Sequence, residues 1–200
     1  MEILNQITLA FLAQSKLEFI AVISAILYLV LVVRENIWCW FFAFISTAIY
    51  IYLFHSVALF SESVLNAYYL FMAVYGWWQW QKQGRETNLH IQNWSLKIHF
   101  KIIVASLILT PILGYYMSSI GASFPYLDAF VSLLAVVATI MVAYKVFENW
   151  YYWLLVDSLS IYLFWQKQMY MTAALFVLYI ALIFTGIQNW KKLMLRQQLK

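Results

Sequence analysis

Seven apolar stretches follow one another along this 200-residue chain, at about 17–33, 37–54, 58–80, 98–118, 125–144, 150–166 and 169–190. Each approaches or exceeds the roughly 17–25 residues that a helix needs to cross the hydrocarbon of a bilayer. None shows the strict alternation of a barrel strand, and lipid leaves no partner for an open sheet edge. The expected class is therefore all-α integral membrane with seven transmembrane helices. Composition agrees: 66% hydrophobic and only 10% charged residues leave too little polar surface for a soluble domain. A single membrane domain spans 1–200, which leaves no room for a soluble catalytic unit. No basic region precedes the first apolar stretch, so a cleaved signal peptide is not expected. Cys39 is the only cysteine, which excludes an internal disulfide and a multi-cysteine metal site.

The chain also repeats itself. Ile51-Tyr52-Leu53-Phe54 returns as Ile161-Tyr162-Leu163-Phe164, an offset of 110 residues. The same offset carries Leu65 onto Leu175, Tyr69 onto Tyr179, Gly76 onto Gly186 and Trp80 onto Trp190. Glu35-Asn36 with Trp40 is echoed by Glu148-Asn149 with Trp153, here at 113. Residues 17–80 form repeat 1 (helices 1–3) and 125–190 form repeat 2 (helices 5–7), with helix 4 at 98–118 as the linker. Four helices separate equivalent positions, so both copies cross the membrane in the same direction, as parallel repeats of the kind found in transporters.

Basic residues set the orientation. Arg34, Lys82, Arg85, Lys97, Lys101, Lys145, Lys191, Lys192, Arg196 and Lys200 fall on one side, against Lys16 and Lys167 on the other. Ten against two places the first group in the cytoplasm, with the N-terminus outside and the C-terminus inside. The net charge of +4 follows from this bias and is not a nucleic-acid signal.

Asp157 is the main candidate for chemistry, because a carboxylate about 10 Å into a membrane helix is costly and ordinarily faces the bundle interior. Trp150, Trp153 and Asp157, at i, i+3 and i+7, share one helix face that Ser160 continues. Two indoles in line with a carboxylate suit a flat cation; interhelical bonding by Asp157 is the structural alternative. In helix 3, Asn66 forms a stripe with Tyr69, Ala73, Gly76 and Trp80, and its carboxamide can read a base or a sugar hydroxyl. Ser46, Thr47 and Tyr50 of helix 2 and Thr185 of helix 7 are further candidates, although such hydroxyls often bond their own backbone. Trp77, Trp78, Trp94 and Trp190 are expected in a headgroup belt. Gly76 and Gly186 are expected to permit close helix contact.

No metalloprotease, P-loop or Gly-x-Ser-x-Gly motif is present, and His55 lies at the opposite end of the spans from His90 and His99, so neither an enzyme, nor a metal site, nor a cofactor is expected. A retinal protein would need a lysine in its last helix, and none lies between Met169 and Asn189.

Tyr75-Gly76-Trp77-Trp78-Gln79-Trp80, Glu148-Asn149-Trp150-x-x-Trp153 and Gly186-x-x-x-Trp190 occur in this order over nearly the whole length. On these motifs the chain resembles the PnuC family of bacterial vitamin transporters. That family is similar in architecture to the SWEET sugar transporters, two three-helix bundles joined by a linker helix (3+1+3). The resemblance implies facilitated diffusion of a vitamin across the bacterial inner membrane, with trapping by a separate cytoplasmic kinase. Members are best known for nicotinamide riboside, and others carry thiamine or related compounds. Members specific for nicotinamide riboside read Trp-x-x-Trp-x-x-x-Asn in helix 6, where this chain has Asp157. They usually carry Gln at the place of Asn66, and Asn at those of Ser46 and Thr185. Retained scaffold with altered polar positions implies a changed ligand. Thiamine, with its thiazolium and an amino group that a carboxylate accepts, leads; nicotinamide riboside follows, then riboflavin or a deoxynucleoside. The implied substrate-binding set is Trp150, Trp153, Asp157, Asn66, Ser46, Tyr50, Tyr69 and Thr185. A binding-only receptor or assembly subunit and a passive channel are the rival classes, and the aromatic faces suit a homo-oligomer.

Overall fold

The seven apolar stretches are seven helices in the computed structural model, which describes residues 16–56, 60–86, 90–167 and 170–199. They are α1 (Lys16–Val33), α2 (Cys39–Ser56), α3 (Phe60–Glu86), α4 (Leu96–Ser119), α5 (Pro125–Ala143), α6 (Asn149–Gln166) and α7 (Tyr170–Gln198). The segment preceding the first span, the beginning of the third and the middle of the 81–97 loop lie outside the described residues, as does Lys200. Pro125 opens α5 at a position where its missing N–H costs nothing. Pro111 lies within α4 without ending it.

Among the described residues, four helices are by length and composition apolar enough to cross a membrane: α1, α4, α5 and most of α7. The other three, α2, α3 and α6, carry most of the candidate polar residues. Within the first half α2 packs between α1 and α3, and within the second α6 packs between α5 and α7. Between the halves, α1 meets α7 and α5 meets α3, so the first helix of each half contacts the third helix of the other. Helix α4 packs on α5 and presents Phe100, Leu107, Ile108, Ile112 and Tyr115 outward, as a lipid-facing helix must.

The closing bonds of the turn between α1 and α2 recur between α5 and α6. Glu35 N–H donates to Val32 C=O (2.9 Å) and Lys145 N–H to Val142 C=O (3.0 Å). Asn36 N–H reaches Leu31 C=O (2.9 Å) and Val146 N–H reaches Met141 C=O (2.8 Å). These bonds satisfy carbonyls that a helix end leaves open. Glu35 and Lys145 are the two described non-glycine residues in the left-handed region, at φ 55° and 52°. In this turn the repeat therefore runs at 110, not at the 113 that the Glu-Asn-Trp pattern suggests, and Trp40 corresponds to Trp150.

Both tryptophans sit on glycine. A Cβ at Gly76 would meet the Trp40 ring at 2.4 Å, and one at Gly186 would meet the Trp150 ring at 2.4 Å. Each ring also meets a second indole edge to face, Trp40 with Trp80 at 5.6 Å and Trp150 with Trp190 at 5.4 Å. Trp80 Nε1–H donates to Ala143 C=O (3.1 Å) and Trp190 Nε1–H to Val32 C=O (3.0 Å), each across to the other half. Trp190 is thus buried inside the bundle, not in a headgroup belt, because its partners lie on α1 and α6. Trp78, 52% exposed and capped by the Lys82 ammonium, does occupy the perimeter.

Gly76→Ala and Gly186→Ala should each lower the melting temperature of the purified protein, by a loss of about 1–3 kcal/mol from overpacking. Trp150→Phe introduced beside Gly186→Ala should recover part of it. A melting temperature unchanged by both glycine variants would show that the indoles can shift freely.

Candidate functional site

Helices α2 and α6 occupy corresponding places in the two halves, and their inward stripes begin alike and then diverge. Trp40, Ala43, Thr47 and Tyr50 correspond at the 110 offset to Trp150, Trp153, Asp157 and Ser160. The first pair is used up by the glycine seats, and Trp150 is fully buried there. Trp150 was expected to stack on a ligand; its ring is instead seated on Gly186 and packed edge to face with Trp190, so it supports α7. Below it the halves differ. A small Ala43 in one half answers a half-buried Trp153 in the other, and Thr47 answers Asp157.

Trp153 touches both apolar clusters of the molecule: the one around the tryptophan seats, and a second built on Val131, Leu134, Ala135, Val156 and Leu163. One turn further along α6, Asp157 is 3% exposed. No described residue donates a hydrogen bond to its carboxylate. It interacts electrostatically with Tyr69 of α3 and Tyr179 of α7, and these in turn with Tyr28 of α1. Tyr179 also interacts with Tyr50 of α2. A carboxylate of one half thus interacts with one phenol from each half, Tyr69 and Tyr179, themselves 110 residues apart. Phenolic hydroxyls can solvate such a group, but an ionised carboxylate held in apolar surroundings is strongly penalised unless a cation or further donors reach it. A cationic ligand with a flat aromatic ring meets both Asp157 and the indole of Trp153.

The remaining predicted residues divide. Tyr69 is one of the two phenols that interact with Asp157, and Tyr50 interacts with the other, Tyr179, while lying stacked on Phe54 (5.3 Å, 15°). Asn66, half-buried one turn from Tyr69, donates from Nδ2 to Glu62 C=O (2.8 Å) and keeps its oxygen for another donor. Ser46 Oγ–H donates to Ala21 C=O (3.1 Å), tying α2 to α1, and Thr47 Oγ1–H donates to Ala43 C=O (2.8 Å). Thr185 does not join the others. Its hydroxyl bonds Leu182 C=O (2.6 Å), and its side chain is exposed on the face of α7 that carries Leu178 and Phe184. Tyr28 and Tyr179 were not singled out from sequence. For Tyr179 the signal was available, since it is the repeat partner of Tyr69; Tyr28, opposite Ala138 in the other half, left none.

The family model described as nicotinamide mononucleotide transporter matches residues 15–192. The nicotinamide riboside transporter PnuC of Escherichia coli K12 is 20% identical, over 88% of this chain and 85% of its own. That of Neisseria mucosa is 25% identical, over 96% of this chain and 78% of its own. The riboflavin/roseoflavin transporter RibM of Streptomyces davaonensis is 23% identical, over 86% and 83%. Among solved structures, a crystal structure of the vitamin B3 transporter PnuC superposes with a TM-score of 0.75 at 22% identity, covering 97% of this chain and 88% of that one. That likeness extends to the fold.

The two tryptophans of α6 should separate by experiment. Trp150→Ala empties the seat on Gly186 and should cost about 3–5 kcal/mol, visible as a large fall in recovered monodisperse protein. Trp153→Ala should leave most of the protein folded, with a clearly smaller drop in melting temperature. Equal losses from both would show that Trp153 is as much a packing residue as Trp150.

Proposed function

The chain belongs to the nicotinamide mononucleotide transporter family, and we propose that its cargo is a flat organic cation, with thiamine preferred. It is a vitamin transporter of the PnuC family, a multi-pass membrane protein and not an enzyme. The observation that carries the choice of cargo is the Asp157 carboxylate, buried on α6 with no hydrogen-bond donor among the described residues. Thiamine supplies the missing partner twice over, through the positive thiazolium and through the amino group of its pyrimidine. Trp153 stacks on one ring while Tyr50, Tyr69 and Asn66 approach from the first half. Ser46 holds α2 against α1, and Trp150 fixes the far end of the stripe.

Nicotinamide riboside is the second reading, favoured by the relatives that carry that name. Its pyridinium would also meet Asp157, but its carboxamide and ribose hydroxyls are better matched by amides than by a carboxylate. Riboflavin, named for one relative, is neutral and would leave the carboxylate unpaired.

The carrier reading adds facilitated diffusion through one central site between the halves, which rock against each other. Uptake is then drawn forward by a separate cytoplasmic kinase that traps the cargo. The basic ends of α1, α3 and α7 and the start of α4 face the cytoplasm, leaving the N-terminus outside. The outward aromatic faces suit a homo-oligomer. Saturable counterflow of labelled cargo separates this carrier from a binding-only receptor or a channel.

Tryptophan fluorescence of the purified protein should report tighter binding of thiamine than of nicotinamide riboside. Asp157→Asn should weaken thiamine about 30-fold or more, the range for truncating one side of a buried charge pair, and leave the riboside little changed or improved. Unaltered selectivity in a folded Asp157→Asn protein would remove Asp157 from the site.

A further inference from the structure

The two halves meet along two seams, α3 against α5 and α1 against α7. The repeat makes these seams equivalent in backbone, but the side chains differ. The α3–α5 seam is bonded at three levels. At one end the Lys167 ammonium lies 3.1 Å from Asp128 Oδ2 on α5 and 3.5 Å from Glu62 Oε1 on α3. At mid-helix Tyr68 Oη–H donates from α3 to Val136 C=O on α5 (3.0 Å). At the other end Tyr75 and Tyr144 share a hydroxyl–hydroxyl bond of 2.6 Å, and Trp80 Nε1–H donates to Ala143 C=O (3.1 Å). The chain itself adds a tie, since α4 connects these two helices and packs on α5.

The 110 offset shows what α7 carries at the corresponding places. Leu178 stands for Tyr68, Thr172 for Glu62 and Thr185 for Tyr75. Leucine has no donor and threonine no charge, and the Thr185 hydroxyl is bonded to Leu182 C=O of its own helix (2.6 Å). The indole bond is the tie that the repeat preserves, as Trp190 Nε1–H to Val32 C=O (3.0 Å). Deeper in the same seam Tyr28 of α1 and Tyr179 of α7 interact with each other, and Tyr179 interacts with Asp157. Parting α3 from α5 at mid-helix would strip the Tyr68 hydroxyl of its acceptor where lipid offers no replacement. At Leu178 the same movement exchanges one apolar contact for another.

We propose that the halves swing about the α3–α5 seam, with Tyr68 as its hinge pin, and part along the α1–α7 seam. Tyr68 is a positioning residue: it touches no cargo, and it holds Asn66 and Tyr69 of α3 in a fixed relation to the second half. The proposal rests on the carrier reading above and adds to it the axis of the motion. A bond kept throughout the cycle stabilises closed and open states alike, so its loss lowers stability without changing the exchange rate.

The repeat supplies matched cysteine pairs for the test. Leu27→Cys with Leu178→Cys spans the α1–α7 seam, and their counterparts Val137→Cys with Tyr68→Cys span the α3–α5 seam. Cys39 is fully buried and stays in place, so parent protein given the same reagent supplies the blank. Bridging the first pair with a short bis-methanethiosulfonate should abolish counterflow of thiamine and nicotinamide riboside in proteoliposomes, while bridging the second should leave it running. Tyr68→Phe should lower the melting temperature and leave counterflow per folded molecule unchanged. Equal block by both bridges, block by neither, or an altered rate in folded Tyr68→Phe protein would each overturn the hinge. Where a pair does not bridge, spin labels on the same cysteines report the distance between the helices. It should take two values across the α1–α7 pair and one across the α3–α5 pair; one value at the former or two at the latter would overturn the proposal. A parent that binds either compound without exchanging it defeats the carrier reading, and the distances then decide the hinge by themselves.

Discussion

Two indole N–H groups reaching from one half of the molecule to the other hold this bundle in register. The last carbonyls of a helix have no partner of their own, and near lipid they need one. Here α1 and α5 end against tryptophans: Ala143 C=O accepts from Trp80, and Val32 C=O, which also accepts from Glu35 N–H, takes a second bond from Trp190. Each donor stands one helical turn beyond a glycine, and that glycine receives the ring of Trp150 or Trp40. The bond therefore requires the glycine seat, because a side chain at Gly76 or Gly186 would lift the ring and tilt the helix that carries the donor. Contact between α1 and α7, and between α5 and α3, follows from this pair of bonds.

Near-symmetric packing of this kind gives a scaffold but no selectivity, since a ligand without two-fold symmetry needs two different walls. The difference is introduced one turn beyond the tryptophan seats. Ala43 opposite Trp153 supplies space in one half and an aromatic face in the other, and Thr47 opposite Asp157 confines the charge to one side. Substitutions at these places leave the seats untouched.

Much of the fold was legible in the sequence because membrane helices advertise themselves through length and apolarity, and the seven expected are the seven found among the described residues. The repeat was legible too where it preserved large residues in identical order, as in Ile-Tyr-Leu-Phe. Its phase in the α1–α2 turn was misread because Glu148-Asn149 imitates Glu35-Asn36 three positions late; only the hydrogen-bond pattern, with Glu35 and Lys145 both in the left-handed region, fixes the offset at 110. The site was less legible than the fold. A stripe at i, i+3, i+7 assigns residues to one face of a helix, yet does not say whether a neighbour already fills that face. Trp150 and Trp153 look alike in sequence, and the difference between them lies in Gly186, far along the chain. Thr185 illustrates the converse: a hydroxyl in a membrane helix can satisfy itself on its own backbone and then face outward at little cost.

A passive carrier must bind its cargo firmly enough to select it and loosely enough to release it on the far side. A bare buried carboxylate would bind any cation too tightly, because the empty state would carry the whole penalty of an unsolvated charge. In the proposed site, Tyr69 and Tyr179 would reduce that penalty by offering the carboxylate polar surroundings when no cargo is present, so occupancy would exchange one set of polar contacts for another. Amide donors bonded firmly to the carboxylate would weaken the site by competing with the cargo. In the proposed carrier the phenols of α3 and α7 are a compromise, and because they come from both halves, rocking of the halves would alter how well they screen the charge. Affinity in such a site is set by the relative position of the helices as much as by the residues themselves, which is the condition for handing a cation across a membrane without an energy source.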